Sequence, residues 1–119
     1  MTRERLDNRR CSATVKFTHE HRSMLASYSV YPDGRAAEIF IDTSDPGSTM
    51  AAILRDAAVL SSIALQYGAP LETLCSALTR LENGIAPASP IGSAFDTLLG
   101  EIKKLKQEGD MSGGSDGKR

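Results

Sequence analysis

The sequence predicts an α+β fold, a three-stranded antiparallel meander packed on three helices, and three observations predict it. Apolar and polar residues alternate in three short runs between residues 13 and 42, the period-two pattern of strands with one wet face. Pro32-Asp33-Gly34 stands between the second and third runs. It is a hairpin signal, because Pro presets φ at about −65°, Asp suits the following turn position and Gly accepts a left-handed backbone. Beyond Gly47 the apolar spacing changes to that of a helix and persists through three segments divided by Gly68 and by Asn83-Gly84.

The first strand, over residues 13–18, sets Val15 and Phe17 against Thr14 and Lys16, and the polar residues 19–23 turn the chain. In the second, Met24, Ala26, Tyr28 and Val30 share one face, with Leu25, Ser27, Ser29 and Tyr31 on the other. The third, over residues 36–42, is the most β-prone and opposes Ile39 and Ile41 to Glu38 and Phe40. The first helix carries Met50, Ile53, Leu54, Ala57, Leu60, Ala64 and Tyr67 along one side, and Ala51, Ala58, Val59, Ile63 and Leu65 widen that stripe around most of its circumference. Such a helix must be covered on most sides, by the sheet, by further helices or by a partner subunit. Gly68 ends it as a left-handed cap. Pro70 is placed as the first residue of a second helix, with Leu71, Leu74, Leu78 and Leu81 as its seam, Arg80 in its last turn and Asn83-Gly84 as its stop. Ser89 as N-cap and Pro90 behind it open a third helix in which Ile91, Ala94, Phe95, Leu98, Ile102 and Leu105 recur at helical spacing.

The expected organisation is a basic disordered leader over residues 1–12, one domain over 13–105 and a disordered polar tail over 106–119, rich in Gly, Ser and charge. A chain of 119 residues, 40% hydrophobic, buries only part of its apolar surface alone, so a homodimer is expected. Net charge −1 and a pI near 6.1 exclude a protein whose main task is holding duplex nucleic acid, which needs a clustered basic face. Arg3, Arg5, Arg9 and Arg10 are interrupted by Glu4 and Asp7, with no aromatic residue among them for base stacking. Cys11 and Cys75 are the two cysteines, far apart, which suggests neither a disulfide framework nor a thiolate zinc site and fits a reducing cytoplasm. The most apolar region, residues 50–65, is broken by Arg55 and Asp56 and falls short of a membrane span, and no apolar core of a signal peptide follows the basic start.

The succession GRAAEIFID, a Gly-Ser connection, LRDAAVLSSIALQYGAPLETL and SPIGSAFDTL resembles the TSCPD domain at the C-terminus of adenosylcobalamin-dependent ribonucleotide reductases. It is especially similar to the short stand-alone bacterial proteins of that group, over roughly residues 17–99. The resemblance implies the same α+β meander and an accessory role, with the reductase or another protein as partner. It also implies a difference. Fused members tend to carry cysteines at three places that here read His21-Arg22-Ser23, Ser48-Thr49-Met50 and Ala88-Ser89-Pro90, so a zinc or thiol redox role does not carry over. The reductase active site and cobalamin-binding parts have no counterpart in a chain of 119 residues.

Among the residues themselves, Gly47, Ser48, Thr49 and Arg55 are the candidate ligand site. Backbone N–H groups at a helix start, two hydroxyls and a nearby guanidinium suit a nucleotide-like anion, while the plainer role for Ser48 or Thr49 is an N-cap. Arg55 is either part of a structural ion pair with Asp56, Glu38 or Asp42 or turned toward that anion. His19 and His21, two apart, supply too few ligands for a metal site, and no Ser, Cys or His spacing commends a nucleophile and base. The expected protein is a cytoplasmic, non-catalytic accessory domain acting through protein association, without metal or cofactor, or alternatively a small-molecule binding protein using the helix start at Ser48-Thr49.

Overall fold

The computed structural model of the chain describes residues 2–6 and 11–114. Three strands, β1 (Cys11–His19), β2 (Arg22–Val30) and β3 (Ala36–Asp42), precede three helices, α1 (Thr49–Gln66), α2 (Leu71–Ala77) and α3 (Pro90–Gly114). The strands form one antiparallel sheet in the order β1-β2-β3, so the expected α+β meander is the fold. The register pairs Phe17 with Met24 and Val15 with Ala26 across the first hairpin, and Ala26 with Ile41 and Tyr28 with Ile39 across the second. All of these apolar residues therefore line one face, where Phe17, Met24, Ala26, Tyr28, Ile39 and Ile41 are buried. A bulge between Ser29 and Val30 pairs Val30 with Ala36 rather than Ala37, which lets Ala36 and Ala37 both be buried. The turn at Pro32-Asp33-Gly34 forms as expected, with Gly34 at φ +93° and Asp33 Oδ1 accepting from Arg35 N at 3.0 Å.

Helix α1 lies along β3, with a contact different from the expected one. Its buried residues are Ala51, Leu54, Ala58, Ser62, Leu65 and Gln66. Of the stripe read as one apolar side, only Leu54 belongs to them, whereas Met50, Ile53, Leu60 and Tyr67 are exposed. The reason is the strand edge. Ile39 N donates to Ser62 Oγ at 2.9 Å and Gln66 Nε2 donates to the Ala37 carbonyl at 3.0 Å, so the helix turns its small and polar residues to the sheet and satisfies the unpaired backbone of β3. Ala51 and Ala58 allow that close approach. α1 spans 18 residues and is long and apolar enough, by length and composition alone, to cross a membrane, yet 33% of it is buried inside the protein and its polar side chains serve a strand.

Gly68, at φ +110°, ends α1, and its N–H reaches the Leu65 carbonyl at 3.0 Å. α2 is shorter than its leucine seam predicts. Pro70 is its N-cap rather than its first residue, and Leu78 leaves the helix with ψ 155°. Arg80 and Pro87 then form an isolated bridge, with Gly84 at φ +73° and Asn83 Oδ1 accepting from Ile85 N and Ala86 N. Ser89 caps α3 through Gly92 N at 3.2 Å, as expected. Ala94, Phe95, Leu98 and Ile102 drive that helix into the core beneath the sheet.

At both ends the described structure extends beyond residues 13–105. Strand β1 begins at Cys11, and residues 2–6 dock on the domain: Glu4 N donates to the Gln66 carbonyl at 2.8 Å, the Tyr31 hydroxyl donates to the Glu4 carbonyl at 2.8 Å, and Arg35 pairs with Glu4 at 2.9 Å. Helix α3 continues past residue 105 to Gly114. Residues 1, 7–10 and 115–119 of the expected leader and tail lie outside the described residues.

Candidate functional site

Three connections meet at one end of the sheet: the β1–β2 turn, the β3–α1 connection and the start of α3. Between them lies a cleft of about 470 Å³, whose lining includes His19, Arg22, Asp45, Ser48, Thr49 and Pro90. Its construction follows from local sequence. Glu20 and His21 form the two-residue turn of the first hairpin with φ +50° and +68°, a conformation usually given to Asn-Gly and strained for these residues. The tight turn brings His19 and Arg22 opposite each other at the strand ends. His19 is therefore no solvated turn residue. Its Nδ1 lies 2.6 Å from Ser93 Oγ in the first turn of α3, and its side chain is 10% exposed. His21 stays exposed in the turn, so the two rings are not held side by side.

Ser48 caps α1. Its Oγ accepts from Ala51 N at 3.0 Å and donates to the Asp45 carbonyl at 2.8 Å. The hydroxyl is thus already engaged on both sides by backbone, which is the capping role. Ser48 and Thr49 line the cleft, whereas Gly47 and Arg55 are not among its lining residues. Arg55 is exposed and donates to the Pro46 carbonyl at 3.4 Å, a long contact. The cation the fold does bring to the cleft is Arg22, which sequence reasoning passed over. The signal available was its place directly after the His19-Glu20-His21 turn. The three places at which the family resemblance implies cysteines in fused proteins, residues 21–23, 48–50 and 88–90, converge here, since Arg22, Ser23, Ser48, Thr49, Met50 and Pro90 all line this cleft. Among the described residues, no group of three or more His, Cys, Asp or Glu is placed to hold a metal ion.

A second polar constellation joins α2, the following loop and α3. Arg80 grips Asp96 with both terminal nitrogens, at 2.7 and 2.8 Å, and donates to the Ile85 carbonyl at 3.0 Å. The Cys75 thiol donates to Asp96 Oδ1 at 2.9 Å. Arg80 holds the Asp96 carboxyl below the usual carboxylate range. Burial first, and then Asp96, push the Cys75 thiol up, so Cys75 stays protonated at neutral pH and lacks the thiolate that nucleophilic chemistry uses. Cys75 is buried and packs as a small core residue. Its hydrogen bond to Asp96 was not legible, because Asp96 is remote in sequence and no spacing ties it to Arg80.

The fold is a small α+β module whose helix starts and first hairpin turn ring a cleft, with one face of α1 left exposed. The chain belongs to the TSCPD domain family, which matches residues 2–106. Over 72 residues, 60% of this chain, it is 42% identical to a vitamin B12-dependent ribonucleotide reductase of Rhodopirellula baltica, covering 7% of that protein. Over 77 residues, 65% of this chain, it is 39% identical to one of Agrobacterium fabrum, covering 6%, and over 79 residues, 66% of this chain, it is 35% identical to one of Streptantibioticus cattleyicolor, covering 13%. The chain thus spans only a small part of the relatives it matches. No solved structure matches it.

Proposed function

We propose that this chain is a non-catalytic accessory module that acts in the cytoplasm through protein association, in the setting of B12-dependent ribonucleotide reduction. The observation that carries the association reading is the outward face of α1. Ile53 and Leu60, 57% and 69% exposed, stand on it with Met50 and Tyr67, an apolar area that isolated soluble domains rarely leave open without use. The setting is supported by the relatives, each a B12-dependent ribonucleotide reductase matched over a short segment. Purified chain titrated against such a reductase on a biosensor tests the reading. Saturable binding that Leu60→Glu weakens is expected, and no binding at tens of micromolar removes the reductase as partner.

A second reading, a nucleotide-like anion held in the cleft, is favoured by Arg22 beside the capped start of α1. A nucleotide should then raise the melting temperature by linkage. Arg22→Ala should abolish that shift, and Arg55→Ala tests whether the more distant guanidinium contributes. A flat response across nucleoside mono-, di- and triphosphates removes this reading.

A further inference from the structure

The exposed face of α1 carries a spacing that neither its packing on β3 nor its cap explains. Met50, Ile53, Ala57, Leu60, Ala64 and Tyr67 follow one another at intervals of three, four, three, four and three, the a/d seam of a helix that pairs with another helix. Inside the protein, α1 is held from the opposite side, through Ala51, Leu54, Ala58, Ser62 and Leu65. The seam is left outward, with its four large members 40–69% exposed.

We propose that this seam is a two-fold interface on which a second copy of the chain lays its own α1 antiparallel. The proposal rests on the association reading above and names the partner of that surface. The order of sizes along the seam argues for it. Read forward it is large, large, small, large, small, large. Laid antiparallel on itself about its midpoint, Ile53 meets the partner's Ala64, Ala57 meets the partner's Leu60, and Met50 meets the partner's Tyr67. Every small residue faces a large one, as close packing requires. Laid parallel, Ala57 and Ala64 would meet their own copies, leaving gaps between Leu–Leu and Tyr–Tyr layers. A two-fold axis also makes the patch its own complement, so no second surface is needed. A two-fold contact takes the four large seam side chains, 40–69% exposed, out of water on both subunits, a small patch at the low end of specific interfaces.

Sedimentation equilibrium of the full chain across 1–200 µM tests the proposal. A concentration-dependent dimer is expected, weakened at least about thirty-fold by Leu60→Glu, the loss typical of a hot-spot residue. Far-UV circular dichroism of that variant should be unchanged, because Leu60 is 69% exposed. In a Cys11→Ser background, mixing Ile53→Cys with Ala64→Cys should give a mixed disulfide under mild oxidation, while each alone gives far less. A monomer at 200 µM overturns the proposal, as does a dimer that Leu60→Glu leaves intact, and self-crosslinking of Ala64→Cys overturns the antiparallel arrangement. If the chain is monomeric yet binds the reductase in a Leu60-dependent way, the dimer fails and the association reading stands. If the dimer forms and no reductase binds, the dimer stands and the reductase is removed as partner.

Discussion

Two adjacent serines of α1 should respond very unequally to the same substitution. Ser62 is 8% exposed. Its Oγ accepts the Ile39 N–H at 2.9 Å and lies 2.9 Å from the Ala58 carbonyl. Ser62→Ala removes the side-chain oxygen that receives that strand-edge N–H and leaves a buried donor without this partner, at a cost of about 1–3 kcal/mol. Ser61 Oγ merely donates to the Ala57 carbonyl of its own helix at 2.7 Å. Ser61→Ala removes a back-bond that helices do without, so its effect should stay within about 0.5 kcal/mol. Urea unfolding followed by circular dichroism measures both. The midpoint for Ser62→Ala should fall at unchanged slope, with a melting temperature about 5–15 °C lower for a domain of this size. Equal effects of the two substitutions, or a loss below about 0.5 kcal/mol for Ser62→Ala, would refute the idea that α1 secures the β3 edge through this hydroxyl.

Three further outcomes are expected. Leu54→Ala should cost about 2–5 kcal/mol because the side chain is 2% exposed, while Ile53→Ala, measured below one micromolar, should cost under about 0.5 kcal/mol; a reversed order in calorimetry would return the exposed seam to the core. Asp96→Asn should lower stability by about 1–2 kcal/mol, a charge-assisted pair discounted for the 38% exposure of the carboxylate. Because Arg80 lowers the folded-state pKa of Asp96, this contribution is fully present above the unfolded value of about 3.9 and is lost as pH falls through the lowered value, so an acid titration of Asp96→Asn should show a shallower limb than the parent. Replacing Glu20-His21 by Asn-Gly should raise stability by about 1–2 kcal/mol, since both residues sit at positive φ, and an unchanged melting temperature would mean that contacts of the native turn offset the strain.

The local signals were legible because they act within a few residues. Alternation marked the strands, Pro32-Asp33-Gly34 the hairpin, Gly68 the end of α1 and Ser89-Pro90 the start of α3, each by backbone chemistry that neighbours hardly alter. The β1–β2 turn was placed, but its strain was not, since nothing in Glu20-His21 announces a left-handed backbone. Helix α2 was read too long because Leu78 and Leu81 keep the apolar spacing after the backbone has left the helix. The bidentate hold of Arg80 on Asp96, which organises that loop, is a pairing across sequence that periodicity does not encode.

For the site, Ser48 and Thr49 were marked by the Gly-Ser-Thr helix start, while Arg22 and His19 became cleft residues only when the hairpin closed against α3. By itself the sequence determined the fold class, the order of elements and the family, because strand alternation, turn residues and helix caps are local and their order along the chain is itself the signature. Which side of α1 faces inward was decided by tertiary structure alone. On a helix apolar around most of its circumference the apolar spacing does not say which side turns inward, and the choice fell to the outward N–H and C=O groups of β3, which Ser62 and Gln66 bond.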